Sequence, residues 1–397
     1  MSWQRNVFFI VVSQFIAILG FSFAMPFVPF YLQEMGVRDS HELKMWIVLF
    51  NSAAPLSLAI FSPIWGALGD RYGRRLMLLR ANFGGVLLLF LMGIATTPTM
   101  LVGLRLLQGA LTGTMTAAVT LVSVHAPDRR SGFALGILSA AVSSGNMCGA
   151  FVGGMFADLF GYRAAFFAAS GIMLVAGFLI LFGIEEYVPK RKDENESLPG
   201  LRFLPRNLGA AGFILLLLAV IGFVLTFDGS WLPLLVQDIH GSLRGASFWT
   251  GSLAAVGGIA GLLAGPIIGR LADRVTPPMI ARASSIGAGF MSMIMGLAGS
   301  FPLLFGARFC GAFCAGGLDP VFQIWLSKVT PEKDRGFVFG WAGTVRAVGW
   351  MFSPMISGAV AWLAGVRAVF FAAAAFMFLM VPLISFVVYK LEQRNNI

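Results

Sequence analysis

The chain has 397 residues, 58% hydrophobic and only 12% charged, against roughly 25% charged in soluble domains. That balance excludes a soluble enzyme and predicts an all-α polytopic membrane protein surrounded by lipid. The net charge of +10 forms no long basic stripe and accompanies no nucleic-acid-reading motif, so nucleic acid is not expected as a partner.

From the N-terminus, Arg5 precedes an apolar run to about Leu32. This exceeds the 7 to 15 residues of a signal-peptide core and lacks a convincing cleavage site, so it reads as a retained first span. A helix needs about 20 apolar residues to cross the hydrocarbon. The runs predict twelve spans near 7–32, 45–68, 76–96, 99–124, 132–157, 163–184, 208–236, 246–270, 279–299, 302–327, 336–362 and 366–389. The one long polar stretch, containing PKRKDENESLPG, divides the chain into a six-helix half at 1–184, a cytoplasmic linker at 185–207 and a second six-helix half at 208–397. With the N-terminus inside, nineteen Lys and Arg fall on the cytoplasmic side and five outside. The positive-inside bias therefore predicts a multi-pass protein of a bacterial inner or plasma membrane with both termini cytoplasmic.

The halves read as copies. GYRAAFFAA at 161–169 recurs as GVRAVFFAA at 365–373, an offset of 204 with seven of nine residues identical. The same offset carries Pro29 onto Pro233 and Gly136 onto Gly340, and one residue less carries Arg105 onto Arg308. Parallel repeats place a substrate site near the midplane between the halves and suit alternating access.

Between the second and third spans runs Gly66-Ala-Leu-Gly-Asp70-Arg71-Tyr-Gly73-Arg74-Arg75, partly repeated as Gly269, Asp273 and Arg274. Gly66 permits close helix approach, Gly73 a tight reversal, and Asp70 a helix N-terminal contact. In this loop the chain resembles the major facilitator superfamily, over essentially its whole length. Three further motifs resemble its twelve-span drug:proton antiporter branch. These are Leu19-Gly20 with Pro26-Phe27-Val28-Pro29, Leu101-Val-Gly-Leu-Arg105-Leu-Leu-Gln108-Gly109, and the glycines Gly136, Gly145, Gly149, Gly153 and Gly154. The resemblance implies a conformational gate at the loop and a proton-transfer role for Arg105. One departure stands in the glycine pattern: Ala150 occupies the place where the family has proline.

Ionisable groups at membrane depth are costly and mark functional candidates. They are Arg80, Arg105, Asp228, Arg308, Asp319 and Arg346. At about 1.5 Å per residue, Asp319 and Arg346 lie at matching depths and are expected to pair, while Asp228 shares a level with Arg308 and Arg105. Asp228 and Asp319 are the proton-carrier candidates, with Arg105, Arg308 and Arg346 as their cations; the alternative is that each acid only neutralises an arginine. Arg80 is near enough to its span's end to snorkel and is given no role. Met25, Tyr31, Gln108, Asn146, Gln323, Trp325, Trp341 and Trp350 are candidates to line a cargo cavity.

Cys148, Cys310 and Cys314 sit in apolar runs and His41, His125 and His240 in or beside loops, so no metal site is expected. No Walker motif implies ATP drive, and no nucleophile–base set at membrane depth supports an intramembrane enzyme. The expectation is a monomeric, cofactor-free, proton-coupled exporter of amphipathic small molecules. The alternative is a dedicated exporter of an anionic metabolite such as a siderophore, motivated by four membrane arginines against two aspartates.

Overall fold

The computed structural model describes residues 3–125, 127–185, 209–272, 274–330 and 335–395, and every regular element among them is helical. Helix α1 (Trp3–Ala24) passes through a 3-10 turn at Met25–Phe27 into α2 (Val28–Glu34). Pro26 and Pro29 remove the backbone donors that would continue the helix there. Helices α3 (Ser40–Tyr72) and α4 (Arg74–Ile94) meet at Gly73, whose φ of 96° and ψ of 151° belong to a region that is essentially glycine's alone. Next come α5 (Pro98–Leu111), α6 (Thr114–His125), α7 (Asp128–Phe160) and α8 (Tyr162–Gly183).

Beyond residues 186–208, which contain almost all of the expected linker and lie outside the described residues, α9 (Gly209–Leu225) ends in turns before α10 (Leu232–His240). Then follow α11 (Ala246–Ala272), α12 (Pro277–Leu297), α13 (Phe301–Gly316), α14 (Leu318–Val329), α15 (Arg335–Ala364) and α16 (Val366–Asn395).

Among the described residues, ten helical stretches are long and apolar enough to cross a membrane. The expected fourth and seventh spans are absent from that ten because each is cut: α5 from α6 at Thr112–Gly113, and α9 from α10 at residues 226–231. Hydropathy carries straight across these interruptions and does not register them.

The described residues group into two compact units, one drawn from Met1–Arg38, Ala53–Phe203 and Ser247–Ser252, the other from Asp39–Ser52, Leu204–Ala246 and Leu253–Ile397. Within lipid there is little hydrophobic drive between helices, so close packing must hold each unit. In the first, α1 lies against α7 and α8. Gly145, Gly149 and Gly153, one per turn of α7, face the carbonyl oxygens of Phe15, Leu19 and Phe23, one per turn of α1. A Cβ at Gly145 would stand 2.5 Å from the Phe15 oxygen, and those at Gly149 and Gly153 would collide with theirs.

The second unit repeats this contact in its own residues. Gly349 of α15 faces the Ala219 carbonyl and the Phe223 amide of α9, each 204 residues beyond Gly145, Phe15 and Leu19. Around it lies a core that includes Leu217, Ile221, Phe322, Trp325 and Met380.

The repeated nonapeptides also have a structural task. Each opens on a glycine at positive φ, 86° at Gly161 and 88° at Gly365, and each places its arginine on a helix C-terminus. Arg163 Nη2 donates to the Ala95 carbonyl after α4 at 3.3 Å, and Arg367 Nη1 donates to the Ala298 carbonyl after α12 at 2.7 Å. Cations are favourable at such ends, where carbonyls lack partners.

Candidate functional site

Each unit carries an arginine-centred polar cluster beside broken helices. Breaks at Met25–Phe27 and Thr112–Gly113 lie in the first unit, and breaks at 226–231 and Gly317 in the second. Gly317 is 204 residues beyond Gly113. Interrupted helices at membrane depth expose backbone groups that can serve ligands, which is tolerated only where protein or water surrounds them.

In the first unit, Arg105 on α5 donates through Nη1 to Gln108 Oε1 at 2.6 Å and to the Met25 sulfur at 3.3 Å. Its guanidinium carbon lies 5.2 Å from the Phe21 ring centroid. Met25 begins the 3-10 turn, so the break in the first span delivers its thioether to the arginine. One turn earlier on α1, the Ser22 hydroxyl donates to Asn146 Oδ1 of α7 at 2.5 Å. Met25, Gln108, Asn146 and Arg105 are thus drawn around one face of α1. Phe21 and Ser22, absent from the sequence candidates, belong with them; their signal was a helical spacing of three and four residues before Met25.

In the second unit, Asp319 sits in the first turn of α14, just after the Gly317 interruption. Arg346 Nη2 of α15 approaches its Oδ1 at 3.2 Å. Gln323 Nε2, one turn on, donates to its Oδ2 at 2.7 Å. The carboxylate is therefore held by a cation and an amide at a helix N-terminus. Both charged side chains are partly exposed, at 22% for Arg346 and 29% for Asp319. Arg346 owes its position to Gly222 of α9, where a Cβ would lie 2.8 Å from both its Cγ and its carbonyl oxygen.

Asp228, in the turns between α9 and α10, lies within electrostatic reach of Arg308 on α13. Arg308 itself runs past Gly257 of α11, its Nε 2.9 Å from where a Cβ would be.

The remaining cavity candidates scatter. Tyr31 is wholly buried against Tyr162 and Phe166, and its hydroxyl donates to the Met92 and Ala95 carbonyls at 3.2 Å each. That placement caps α4 instead of facing open space. Trp325 is buried and stacks on Phe322 at 6.2 Å, with Trp341 packed against the same core, while Trp350 is exposed.

At the signature loop, Gly73 makes the reversal already described. Arg71 stacks on Tyr72 at 5.5 Å, Arg74 lies over Gly69, and Arg75 Nη2 donates to the Leu181 carbonyl at 2.5 Å. Gly66, Asp70 and Gly269 fall in the helical backbone of α3 and α11, and Arg274 is exposed. Asp273 lies outside the described residues. Of the five motif glycines, Gly145, Gly149 and Gly153 form the α1 seam and Gly154 faces the Ser247 carbonyl, whereas Gly136 has nothing within 4 Å of a Cβ. Among the described residues no group of acidic, His and Cys side chains is arranged to hold a metal.

Comparison with known proteins agrees with this architecture. The multidrug resistance protein MdtG of Proteus mirabilis is 33% identical over 399 residues, covering 99% of this chain and 98% of its own. The nucleoside transporter NupG shares the fold at a TM-score of 0.77 and 12% identity, over 96% of this chain and 99% of its own. The human organic anion transporter MFSD10 shares it at 0.72 and 17%, over 97% and 100%. The profile of the Major Facilitator Superfamily matches residues 10–298 and 249–396. A multi-pass chain with these helices and this match belongs to the Major Facilitator Superfamily, a family of transporters rather than enzymes.

Proposed function

We propose that the protein is a proton-coupled secondary exporter of amphipathic small molecules, of the multidrug type. It works by alternating access in a bacterial inner membrane, with both termini in the cytoplasm. Relatives named for multidrug resistance, matching nearly end to end, support the cargo class. The chain crosses the membrane twelve times: α5 with α6 covers 98–125 and α9 with α10 covers 209–240, each longer than the roughly 20 residues a span needs. The repeated contacts of Gly145 and Gly349 support two copied halves.

The observation that carries the coupling is the Asp319 carboxylate, held between Arg346 and Gln323 at a helix break. A carboxylate gripped by a cation in one conformation and released in another takes up or gives off a proton as its surroundings alternate. Asp228 beside Arg308 is the second site of this kind, and Arg105 with Gln108 and Met25 supplies polar anchors for cargo or proton. The loop from Gly66 to Arg75, with Gly269, Asp273 and Arg274, acts as the gate.

The arginine surplus favours a second reading, a dedicated exporter of an anionic metabolite such as a siderophore. Competition in proteoliposomes separates the two. With one fluorescent amphiphile as reporter, chemically diverse cationic and neutral amphiphiles are expected to inhibit its transport. Inhibition confined to anionic compounds of one skeleton would favour the dedicated exporter instead.

A further inference from the structure

Arg80 takes no part in either polar cluster. It follows Arg74, the first residue of α4, by six positions, about 9 Å along the helix at about 1.5 Å per residue. It also follows Leu76 by four residues and precedes Leu87 by seven, which places it on one helical stripe with Leu76, Leu87, Phe90 and Ile94. All four of those large apolar side chains are exposed. In a membrane helix that stripe meets lipid, and Arg80, itself half-buried, lies at the edge where that stripe meets the core packing around Trp65.

Its guanidinium is fixed there. The central carbon lies 3.5 Å from the centroid of the Trp65 ring on α3, and the Trp65 indole N–H donates to the Ala110 carbonyl at 2.6 Å, which sets the ring's plane. Arg80 Nε and Nη1 are covered and without a hydrogen-bond acceptor, so only Nη2 can meet a group from outside, and no acidic side chain pairs with it among the described residues. An indole face attracts the charge but offers no lone pair for the N–H groups. A cation left in that condition beside hydrocarbon is costly, and the missing component is an anionic oxygen acceptor.

Direction and level identify its source. Side chains on a helix lean toward its N-terminus, which for α4 is the Gly73 end, so Arg80 reaches toward the headgroups of that leaflet. Arg71 and Arg74 stand at the same end and add positive potential. Phosphate is the anionic group of a phospholipid nearest its acyl chains, and Nη2, the nitrogen left uncovered, can donate to it. We propose that Arg80 and Trp65 form a binding site for the phosphate of an anionic phospholipid from the Gly73-side leaflet, with its acyl chains lying along the stripe from Leu76 to Phe90.

The test uses the full-length protein in phosphatidylcholine nanodiscs doped with phosphatidylglycerol, reading by native mass spectrometry which lipids stay bound. The wild type is expected to retain phosphatidylglycerol in excess of its share. Arg80→Gln is expected to cut that enrichment about fivefold, with Arg80→Lys keeping part of it and Arg130→Gln, on a different helix, leaving it unchanged. Thermal unfolding of each variant separates lost binding from lost fold, and Trp65→Leu gives a second perturbation that leaves every charge in place. Wild-type enrichment in folded Arg80→Gln would overturn the site. Displacement of the lipid by inorganic phosphate as effective as by phosphatidylglycerol would overturn its assignment to lipid.

Discussion

Asp319→Asn is expected to leave a folded protein in the membrane and to reduce cargo-dependent proton movement about tenfold or more, a change of about 1.4 kcal/mol or larger. Asparagine keeps the shape and still accepts from Gln323, whose amide lies 2.7 Å from Oδ2, but it cannot exchange a proton. The competing reading is that Asp319 only neutralises Arg346. Removing one partner of a membrane ion pair strands the other, whereas removing both often costs little. The double variant Asp319→Asn with Arg346→Gln therefore decides between them. If neutralisation were the whole role, the double variant would regain coupled transport along with stability. Stability is expected to return and coupling to remain lost. With both side chains partly exposed, the stability effect of the single variant should be at the small end of the range for buried pairs, which runs to about 3–5 kcal/mol.

The second large effect lies in the glycine pattern, where the residues do not behave alike. Gly149→Ala is expected to destabilise the protein by about 1–3 kcal/mol, since the new methyl group would meet the Leu19 carbonyl and push α1 away from α7. Gly149→Leu should prevent recovery of folded protein. Gly136→Ala, on the same helix, is expected to stabilise by about 0.5–1 kcal/mol, because its Cβ meets nothing within 4 Å and alanine loses less backbone entropy in a helix. Thermal unfolding of the detergent-solubilised variants checks both signs. Equal destabilisation at the two positions would mean that the motif acts as a whole and not through the α1 seam.

The legible part of this molecule was the part written in periodicity and charge. Long apolar runs gave the long helices, and the offset of 204 pointed to copied segments whose contacts, Gly145 on Phe15 and Gly349 on Ala219, match residue for residue. Depth along two helices was enough to expect Asp319 beside Arg346. The helix breaks were not legible from hydropathy, because Thr112, Gly113 and the turn at 226–231 interrupt hydrogen bonding without interrupting apolar composition. Pro26, Pro29 and Gly113 were their local signals. Side-chain direction was equally hidden. Tyr31 and Trp325 looked like cavity aromatics, yet one spends its hydroxyl on the end of α4 and the other packs into a core. Arg80 was legible only as a residue able to snorkel, since its ring partner Trp65 lies on another helix.

The most direct measurement is internal pH in proteoliposomes carrying a pH-sensitive dye, with cargo loaded inside and no initial pH gradient. As cargo leaves down its own gradient, the lumen is expected to acidify in step with it, through protons moving the opposite way, and Asp319→Asn is expected to remove the acidification. Alkalinisation of the lumen, with protons leaving alongside the cargo, would contradict antiport and make the protein a symporter.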